Sequence, residues 1–132
     1  MKTVLIVEDD PLNVTVFSRI LTRRGGLAVK HTEDVEEVLQ IVQSKEADII
    51  LMDIDLANSY YQGKAVNGIE IVQMLKANPQ TATVPVILVT ARALEGDREN
   101  LLTQSGADGY IPKPVMDQQQ FVAQILAKLP KE

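Results

Sequence analysis

Three short segments of the chain are apolar at every position, and they restrict the possible folds more than any other feature. They are Val4 to Val7, Ile49 to Met52 and Val86 to Val89. Each is too short for a helix and rich in Val and Ile, so each is predicted to form a strand. Because the apolar residues are consecutive rather than alternating, both faces of these strands must be covered, as in a parallel sheet between two layers of helices.

Helical patterns lie between the predicted strands. Two weaker strands complete the series, at Leu27 to Val29 and at Tyr110 to Ile111. Strands that alternate with helices predict an α/β fold with one doubly wound parallel sheet of the (βα)5 type. The apolar positions of the five helical patterns are Leu12, Val16, Phe17, Ile20 and Leu21; Val35, Val38, Leu39 and Val42; Ile71, Met74 and Leu75; Leu94, Leu101 and Leu102; and Phe121, Val122, Ile125, Leu126 and Leu129.

The first and fourth helices carry the most informative boundary signals. The first is predicted to begin at Pro11, with Asp10 as its N-cap, and to stop at Gly25. The fourth, from Leu94 to about Ser105, has few apolar anchors. We therefore expect it to be the least firmly packed helix.

The composition limits the class of protein. The 132 residues fit one domain, and we expect residues 1–132 to form it without an output domain. The chain has no cysteine, which excludes disulfides and thiolate metal sites. No apolar run approaches the roughly 20 residues of a membrane helix, and a net charge of −5 disfavours direct binding to nucleic acid. We expect a cytoplasmic protein that binds neither membranes nor nucleic acid.

Polar side chains follow four of the predicted strands, at the point where each strand ends. Ligands of open α/β sheets bind outside these strand ends, so we expect the polar groups to gather at one edge. Crowded carboxylates bind a cation or take up protons, and Mg²⁺ prefers carboxylates, waters and phosphoryl oxygens. The residues are Glu8, Asp9 and Asp10 after the first strand, Asp53 after the third, Thr90 at the end of the fourth and Lys113 after the fifth.

This set of residues indicates phosphoryl chemistry. Asp53 can act as the nucleophile, because carboxylates form acyl phosphates. Lys113 carries a point charge suited to a phosphoryl group, and Thr90 can donate a hydrogen bond to it. Each signal alone is weak, since Asp10 serves equally well as a helix N-cap and a threonine at a strand end is usually structural. Their joint placement at four strand ends carries the argument.

Four segments, VLIVEDDPLN, ILMDIDL, VPVILVTA and GADGYIPKP, resemble in this order the receiver domains of response regulators. The resemblance covers nearly the whole chain. It implies a flavodoxin-like fold with strand order 2-1-3-4-5. It also implies a two-component or phosphorelay function, in which Asp53 accepts a phosphoryl group from a phosphohistidine. The chain would then catalyse only its own phosphorylation and dephosphorylation, and would not be an enzyme in the usual sense.

The same resemblance implies a set of metal ligands for Mg²⁺ or Mn²⁺. In the family the ion contacts a carboxylate of an acidic pair, the phosphoacceptor itself and a backbone carbonyl two residues beyond it. Glu8 precedes the acidic pair and completes the pocket. The implied ligands in this chain are Asp9, Asp10, Asp53 and Asp55.

A switch is also implied by the resemblance. Thr90 would be the switch hydroxyl and Tyr110 the switch aromatic, while Lys113 would precede a cis peptide bond to Pro114. Phosphorylation would change the face formed by the fourth helix, the fifth strand and the fifth helix. The implied partners are a sensor histidine kinase or histidine phosphotransfer protein, a downstream protein target and, through that same face, a second copy of the chain.

The sequence departs from the family pattern after Asp53. Gly68 lies fifteen positions after Asp53, where receivers usually have a shorter loop. The longer loop carries Tyr60, Tyr61 and Lys64. Loops of this length are commonly functional, and we hypothesise that this one contacts a partner or shields the site. A tolerated insertion is the alternative.

Arg92 and His31 are two further positions, of which Arg92 is assigned a role at the site and His31 is not. An ion pair between Asp55 and Arg92 would flank the path of the attacking water and tune hydrolysis, although exposed ion pairs often contribute little. His31, the only histidine, follows a predicted strand and is interpreted as incidental. A phosphorelay histidine would lie on a helix of a partner.

Three other functions compete with this interpretation. A phosphatase of the haloacid dehalogenase type also uses a strand-end aspartate and a second one two residues later, as in Asp53 and Asp55, but there the acidic pair comes last in the chain. A flavin-binding flavodoxin needs a phosphate loop after the first strand, where EDDPLN is acidic. A degenerate receiver could act as a constitutive adaptor, although all expected site residues are present.

Overall fold

The structure is a computed structural model that describes residues 1–56, 59–91 and 97–130. The described residues form five helices around a central sheet, together with a small separate hairpin. The strands are β1 (Thr3–Val7), β2 (Ala28–Thr32), β3 (Ile49–Asp53), β4 (Tyr60–Tyr61), β5 (Lys64–Ala65), β6 (Val86–Thr90) and β7 (Gly109–Pro112). The helices are α1 (Pro11–Gly25), α2 (Val35–Gln43), α3 (Gly68–Ala77), α4 (Asp97–Ser105) and α5 (Gln118–Lys128).

The central sheet has five parallel strands in the order β2-β1-β3-β6-β7. With the hairpin strands β4 and β5 set aside, this is the predicted order 2-1-3-4-5. The fold class expected from the sequence is therefore confirmed. No helix of the described residues is both long enough and apolar enough to cross a membrane.

The sheet is buried on both faces, as its continuous apolar strands predicted. Successive side chains of β1 enter different cores: Leu5 and Val7 pack beneath α2, α3 and α4, while Val4 and Ile6 pack beneath α1 and α5. Because strand side chains alternate between faces, a strand covered on both sides must be apolar at every position. This explains why the pattern in the sequence showed no alternation.

Helix ends are fixed by side-chain caps. Asp10 accepts a hydrogen bond from the Leu12 N–H at the start of α1, and Gly26 follows the helix with φ 64°. At α3, Asn67 and Glu70 form a reciprocal capping box that the sequence analysis did not identify. The predicted start of the fourth helix, Leu94, lies outside the described residues.

The predicted apolar face of α1 is only partly correct. Phe17, Ile20 and Leu21 are buried, but Leu12 is 69% exposed and Val16 is 40% exposed. On a helix of 3.6 residues per turn, Leu12 lies about 140° from Phe17, which places it outside the buried stripe. Apolar spacing alone did not reveal which part of the broad apolar arc faces the core.

The long loop after β3 contains the β4–β5 hairpin, which packs on the α2 side of the sheet. Its turn uses Gln62 and Gly63, both with positive φ, as tight hairpin turns require. Ser59 is almost fully buried, and its hydroxyl donates to the Glu33 carbonyl at 2.7 Å. Tyr61 packs against the core beneath α2. The described part of the insertion is thus anchored to the fold.

Candidate functional site

The carboxyl ends of four parallel strands bring the predicted polar residues to one edge of the sheet. Glu8 and Asp9 follow β1, Asp53 ends β3, Thr90 ends β6 and Lys113 follows β7. Parallel register aligns these ends, because Val7 pairs with Met52 and Asp53 pairs with Val89. Glu8, Asp53 and Thr90 are buried at 2%, 5% and 0% exposure, so the protein supplies a desolvated polar site.

Glu8 is the most heavily bonded carboxylate of the site. One oxygen accepts from the backbone N–H of Asp9 at 3.1 Å and of Asp10 at 3.3 Å. The other accepts from the Asn13 side-chain amide at 3.1 Å. A buried carboxylate needs such donors, because an unpaired charge in the interior is costly. Asn13 is a contributor that the sequence analysis missed.

Lys113 bridges the two buried carboxylates. Its Nζ lies 3.2 Å from an oxygen of Glu8 and 3.4 Å from Oδ1 of Asp53. The backbone holds it there, since the Lys113 N–H donates to the Thr90 carbonyl at 2.8 Å. The Lys113-Pro114 bond is cis, as the family resemblance implied. A single ammonium thus faces both strand ends.

Burial and neighbouring charges shift the pKa values of Glu8 and Lys113. Desolvation raises the pKa of Glu8 above its usual value, and the hydrogen bond and charge of Asp53 add to the rise against the opposing effect of Lys113. Desolvation alone would lower the pKa of Lys113, but Asp53 and Glu8 outweigh it and leave that pKa raised. Lys113 therefore stays protonated, and ionisation of Glu8 is disfavoured.

Three carboxylates lie close enough to share one cation. An oxygen from each of Glu8, Asp9 and Asp53 lies within 4.8 Å of the others. Oxygen ligands of this kind are those that Mg²⁺ prefers, and a cation would relieve their mutual repulsion. The residues therefore fit a hard divalent ion.

Asp10 takes a different place from the one predicted. It is exposed and its carboxylate caps α1, while the group of neighbouring carboxylates contains Glu8 instead. Of the two predicted acids Asp9 and Asp10, Asp9 lies in this group with Glu8 and Asp53 and Asp10 does not, so the part of Asp10 in metal binding stays a prediction. The Asp10 carboxylate is instead engaged at the helix N-terminus, where it accepts from the Leu12 N–H.

Asp55 and Tyr110 are further predicted residues that the structure describes. Asp55 is exposed, and its backbone N–H lies 3.4 Å from Oδ1 of Asp53. Tyr110, on β7, packs partly buried against the core beneath α4. Desolvation raises the pKa of its hydroxyl, with a further contribution from Asp97. Arg92 lies outside the described residues, so its predicted ion pair with Asp55 stays a prediction.

Two other contacts at the site were not predicted. His31, interpreted as incidental, lies in β2 with its Nε2 at 2.7 Å from the Glu8 carbonyl, a distance at which the ring N–H donates. Gly68 lies so close to β3 that a Cβ there would overlap the Asp53 carbonyl oxygen. The fifteen-residue spacing to Gly68 marked this glycine in the sequence, but only the fold reveals what it touches.

Comparison with known proteins gives a consistent match. The family model described as the response regulator receiver domain matches residues 4–126. The chain is 38% identical over 114 residues to the polar-differentiation response regulator DivK of Brucella anthropi, covering 86% of this chain and 85% of that protein. The DivK proteins of Brucella ovis and Brucella suis match to the same extent.

Solved structures agree with this match. The receiver domain of a sensor histidine kinase from Pseudomonas aeruginosa, solved with magnesium coordinated in its active site cleft, superposes with a TM-score of 0.78 at 31% identity over 96% of each chain. A putative response regulator from Chloroflexus aurantiacus superposes with a TM-score of 0.82 at 25% identity over 98% of each chain. Both carry the same arrangement of strands and helices along nearly their whole length.

Proposed function

Since this chain belongs to the family of response regulator receiver domains, which act in two-component signalling, we propose that Asp53 is the residue that accepts the phosphoryl group. The observation that carries the proposal is the contact of Lys113 Nζ with both Glu8 and Asp53, at 3.2 and 3.4 Å. A buried carboxylate held beside one ammonium and two further carboxylates suits the acceptance of an anionic group together with a cation.

The proposed transfer uses groups that the site already holds. A carboxylate oxygen of Asp53 attacks the phosphorus of a phosphohistidine, the P–N bond breaks, and the imidazole leaves with the electron pair. Lys113 stabilises negative charge on the phosphoryl oxygens, and the Thr90 hydroxyl donates to one of them. Attack of a water molecule on the phosphorus of the acyl phosphate would then break the P–O bond to Asp53, releasing inorganic phosphate and restoring the carboxylate.

Receiver domains bind Mg²⁺ at an acidic pocket. In this chain we assign its carboxylate ligands to Glu8, Asp9 and Asp53, and a fourth contact to the Asp55 carbonyl, with Mn²⁺ as a substitute. The ion would supply charge neutralisation between the phosphoryl group and the carboxylates. Asp10 is left with its capping role.

Receiver domains act with histidine kinases and downstream targets, and they are generally not classical enzymes. For this chain, we propose that a histidine kinase or histidine phosphotransfer protein transfers the phosphoryl group to Asp53. The chain would catalyse only its own phosphorylation and dephosphorylation. Thr90 and Tyr110 would report the phosphoryl group to the face of α4, β7 and α5, where a target or a second copy binds. A cytoplasmic location, without membrane or nucleic acid partners, belongs to this proposal.

Incubation with acetyl phosphate and Mg²⁺, followed by intact mass measurement, tests the proposal. We expect one phosphoryl addition to the wild-type protein and none to Asp53→Asn, because the nucleophilic oxygen is lost. An unmodified wild-type protein that still binds its target would instead indicate a constitutive adaptor. Addition to Asp53→Asn would move the acceptor elsewhere.

Matched substitutions at neighbouring acids test the metal assignment. Asp9→Asn should weaken Mg²⁺ binding and slow phosphorylation, since it removes a ligand charge. Asp10→Asn should leave both nearly unchanged, because asparagine is an equally good N-cap. Magnesium titration by calorimetry measures the difference in Mg²⁺ affinity. A larger loss of affinity for Asp10→Asn than for Asp9→Asn would support Asp10 as a metal ligand.

A further inference from the structure

The backbone of the acidic loop after β1 is held by a side chain from the neighbouring strand. Because β1 ends at Val7, the carbonyl of Glu8 lies just beyond the last strand residue. That carbonyl lies 2.7 Å from Nε2 of His31, closer than any donor of the Glu8 carboxylate, which lie at 3.1 to 3.3 Å. A carbonyl oxygen can only accept, so the Nε2 nitrogen of His31 carries the hydrogen.

His31 reaches this carbonyl from a position further back in the sheet. In the parallel ladder His31 pairs with Ile6, two residues before Glu8. The imidazole ring bridges that gap through Nε2, a donor at the far end of the side chain. His31 is exposed, whereas the next residue of β2, Thr32, is 7% exposed. A substitution at His31 therefore removes the bond without opening a cavity in the core.

The strand end that carries His31 is itself fixed by hydrogen bonds. The Thr32 hydroxyl accepts from the Asp34 N–H at 3.0 Å. The buried Ser59 hydroxyl donates to the Glu33 carbonyl at 2.7 Å. These bonds tie the end of β2 to the N-cap of α2 and to the inserted hairpin, so His31 presents its ring from a fixed backbone.

One peptide unit of the acidic loop is held at both of its polar atoms. The unit between Glu8 and Asp9 accepts from His31 at its oxygen and donates to the Glu8 carboxylate at its nitrogen, the latter at 3.1 Å. Because a peptide unit is planar, bonds at these two atoms fix its orientation. That orientation sets the direction in which the Asp9 side chain leaves the backbone. Asp9 is one of the three acids whose oxygens lie within 4.8 Å of one another.

We propose that His31 is a positioning residue for the divalent cation: by holding the Glu8–Asp9 peptide, its ring directs the Asp9 carboxylate toward Glu8 and Asp53. This role rests on the proposed function, since the ion is the one assigned to the phosphoryl site. His31 is not itself assigned as a ligand, and the group of neighbouring ligand atoms in the described part of the chain does not include it. Residues that orient ligands without touching the ion commonly change metal affinity by about tenfold or more when they are replaced.

Titration with Mn²⁺, followed by the electron paramagnetic resonance signal of the free ion, tests the proposal without any phosphorylation. His31→Phe keeps a ring but loses the donor, and we expect it to bind Mn²⁺ about tenfold more weakly than the wild type. His31→Gln loses the ring but keeps a donor, because its amide nitrogen is as many bonds from Cα as Nε2 of histidine. We expect His31→Gln to bind Mn²⁺ nearly as the wild type does. Urea unfolding of both variants checks that they are equally folded.

Phosphorylation by acetyl phosphate at a series of Mg²⁺ concentrations separates positioning from general damage. In His31→Phe the Mg²⁺ concentration that gives the half-maximal rate should rise by about the same tenfold factor. The rate at saturating Mg²⁺ should stay close to that of the wild type, because Asp53 and Lys113 are unaltered. Lys30→Gln is the control, since Lys30 adjoins His31 in β2 but its side chain pairs with Glu46 at 3.4 Å. This variant should not weaken Mn²⁺ binding.

The proposal is overturned if His31→Phe binds Mn²⁺ as tightly as the wild type, or if His31→Gln loses as much affinity as His31→Phe. Equal weakening in Lys30→Gln, or a wild type that binds no Mn²⁺, would overturn it as well. A wild type that binds Mn²⁺ but is not phosphorylated on Asp53 would refute the proposed phosphoacceptor and leave the role of His31 in cation binding intact.

Discussion

Helices α3 and α4 have nearly the same length but are held very differently. The ten residues of α3 include five that are buried, and a capping box fixes its start. The nine residues of α4 include two that are buried, Leu101 and Ser105. Helical stability in proteins comes mainly from packing of an apolar face, so α4 depends on far less. The thin apolar pattern of the sequence predicted this weakness.

This difference in packing distinguishes α3, which supports the site, from α4, which is the helix best able to move. The first residue of α3, Gly68, packs directly on Asp53, so α3 holds the strand that carries Asp53 in place. By contrast, α4 adjoins β7 and the half-buried Tyr110. Elements with few buried contacts open at the lowest free energy, and they are the ones recruited for conformational switching. We therefore expect α4 to respond to phosphorylation and α3 to stay fixed.

The largest effect is expected from Gly68→Ala. A Cβ there meets the backbone of Asp53 and Ile54 rather than a flexible side chain, so the strand or α3 has to shift. We expect a loss of more than about 3 kcal/mol in the free energy of unfolding, measured with urea. Gly63→Ala serves as the control, because only its positive φ opposes a side chain and the cost should be about 1 kcal/mol. Equal losses would mean that α3 does not support Asp53.

Leucine truncation in each helix sharpens the comparison. Leu75 in α3 is 0% exposed, and Leu75→Ala should lower the free energy of unfolding by about 3 to 4 kcal/mol. Leu101 in α4 is 5% exposed, and Leu101→Ala should cost about 2 kcal/mol, because the weaker helix can relax into the cavity. Hydrogen exchange should show faster local exchange of α4 amides in Leu101→Ala. Faster exchange of α3 in that variant would contradict the comparison.

Thr90→Ala should abolish the response of α4 to phosphorylation without preventing phosphorylation itself. The variant keeps Asp53, Lys113 and the acidic pair, so it should still be phosphorylated by acetyl phosphate. In the wild type we expect phosphorylation to alter hydrogen exchange in α4 and β7, and with it the discrimination of a partner; in the variant most of this change should disappear. A full response in Thr90→Ala would refute the coupling through this hydroxyl.

The smallest effect is a pH dependence of stability that originates at Glu8, the buried carboxylate beside Asp53. Because the folded-state pKa of Glu8 is raised, the folded chain binds more protons than the unfolded chain above the ordinary value of 4.5. Stability should therefore decrease as pH rises from about that value through the folded-state pKa of Glu8. Glu8→Gln should flatten this decrease in urea unfolding at a series of pH values without Mg²⁺. A steeper decrease in the variant would reverse the assignment.

The apolar strands predicted the parallel sheet, and the family resemblance implied its strand order. Most of the site could also be predicted, because strand ends in a parallel sheet leave little freedom in where Asp53 and Thr90 can lie. It did not resolve which two of three consecutive acids turn toward Asp53. Neighbouring residues at a strand end point in different directions, and the capping role of Asp10 competes with metal binding. The α3 capping box was readable from Asn67 and Glu70, whereas the hairpin depends on the contact of Ser59 with Glu33, far apart in the chain.

Because the Ser59 hydroxyl is bonded within the fold, the inserted hairpin does not behave as a flexible linker. Its bond to the Glu33 carbonyl, together with the packing of Tyr61, means that folding itself has already restricted these residues. A protein that touches the exposed ring of Tyr60 would meet a preformed surface. Little conformational entropy would then be lost on association, so the insertion can add recognition area to a small domain at low cost in affinity.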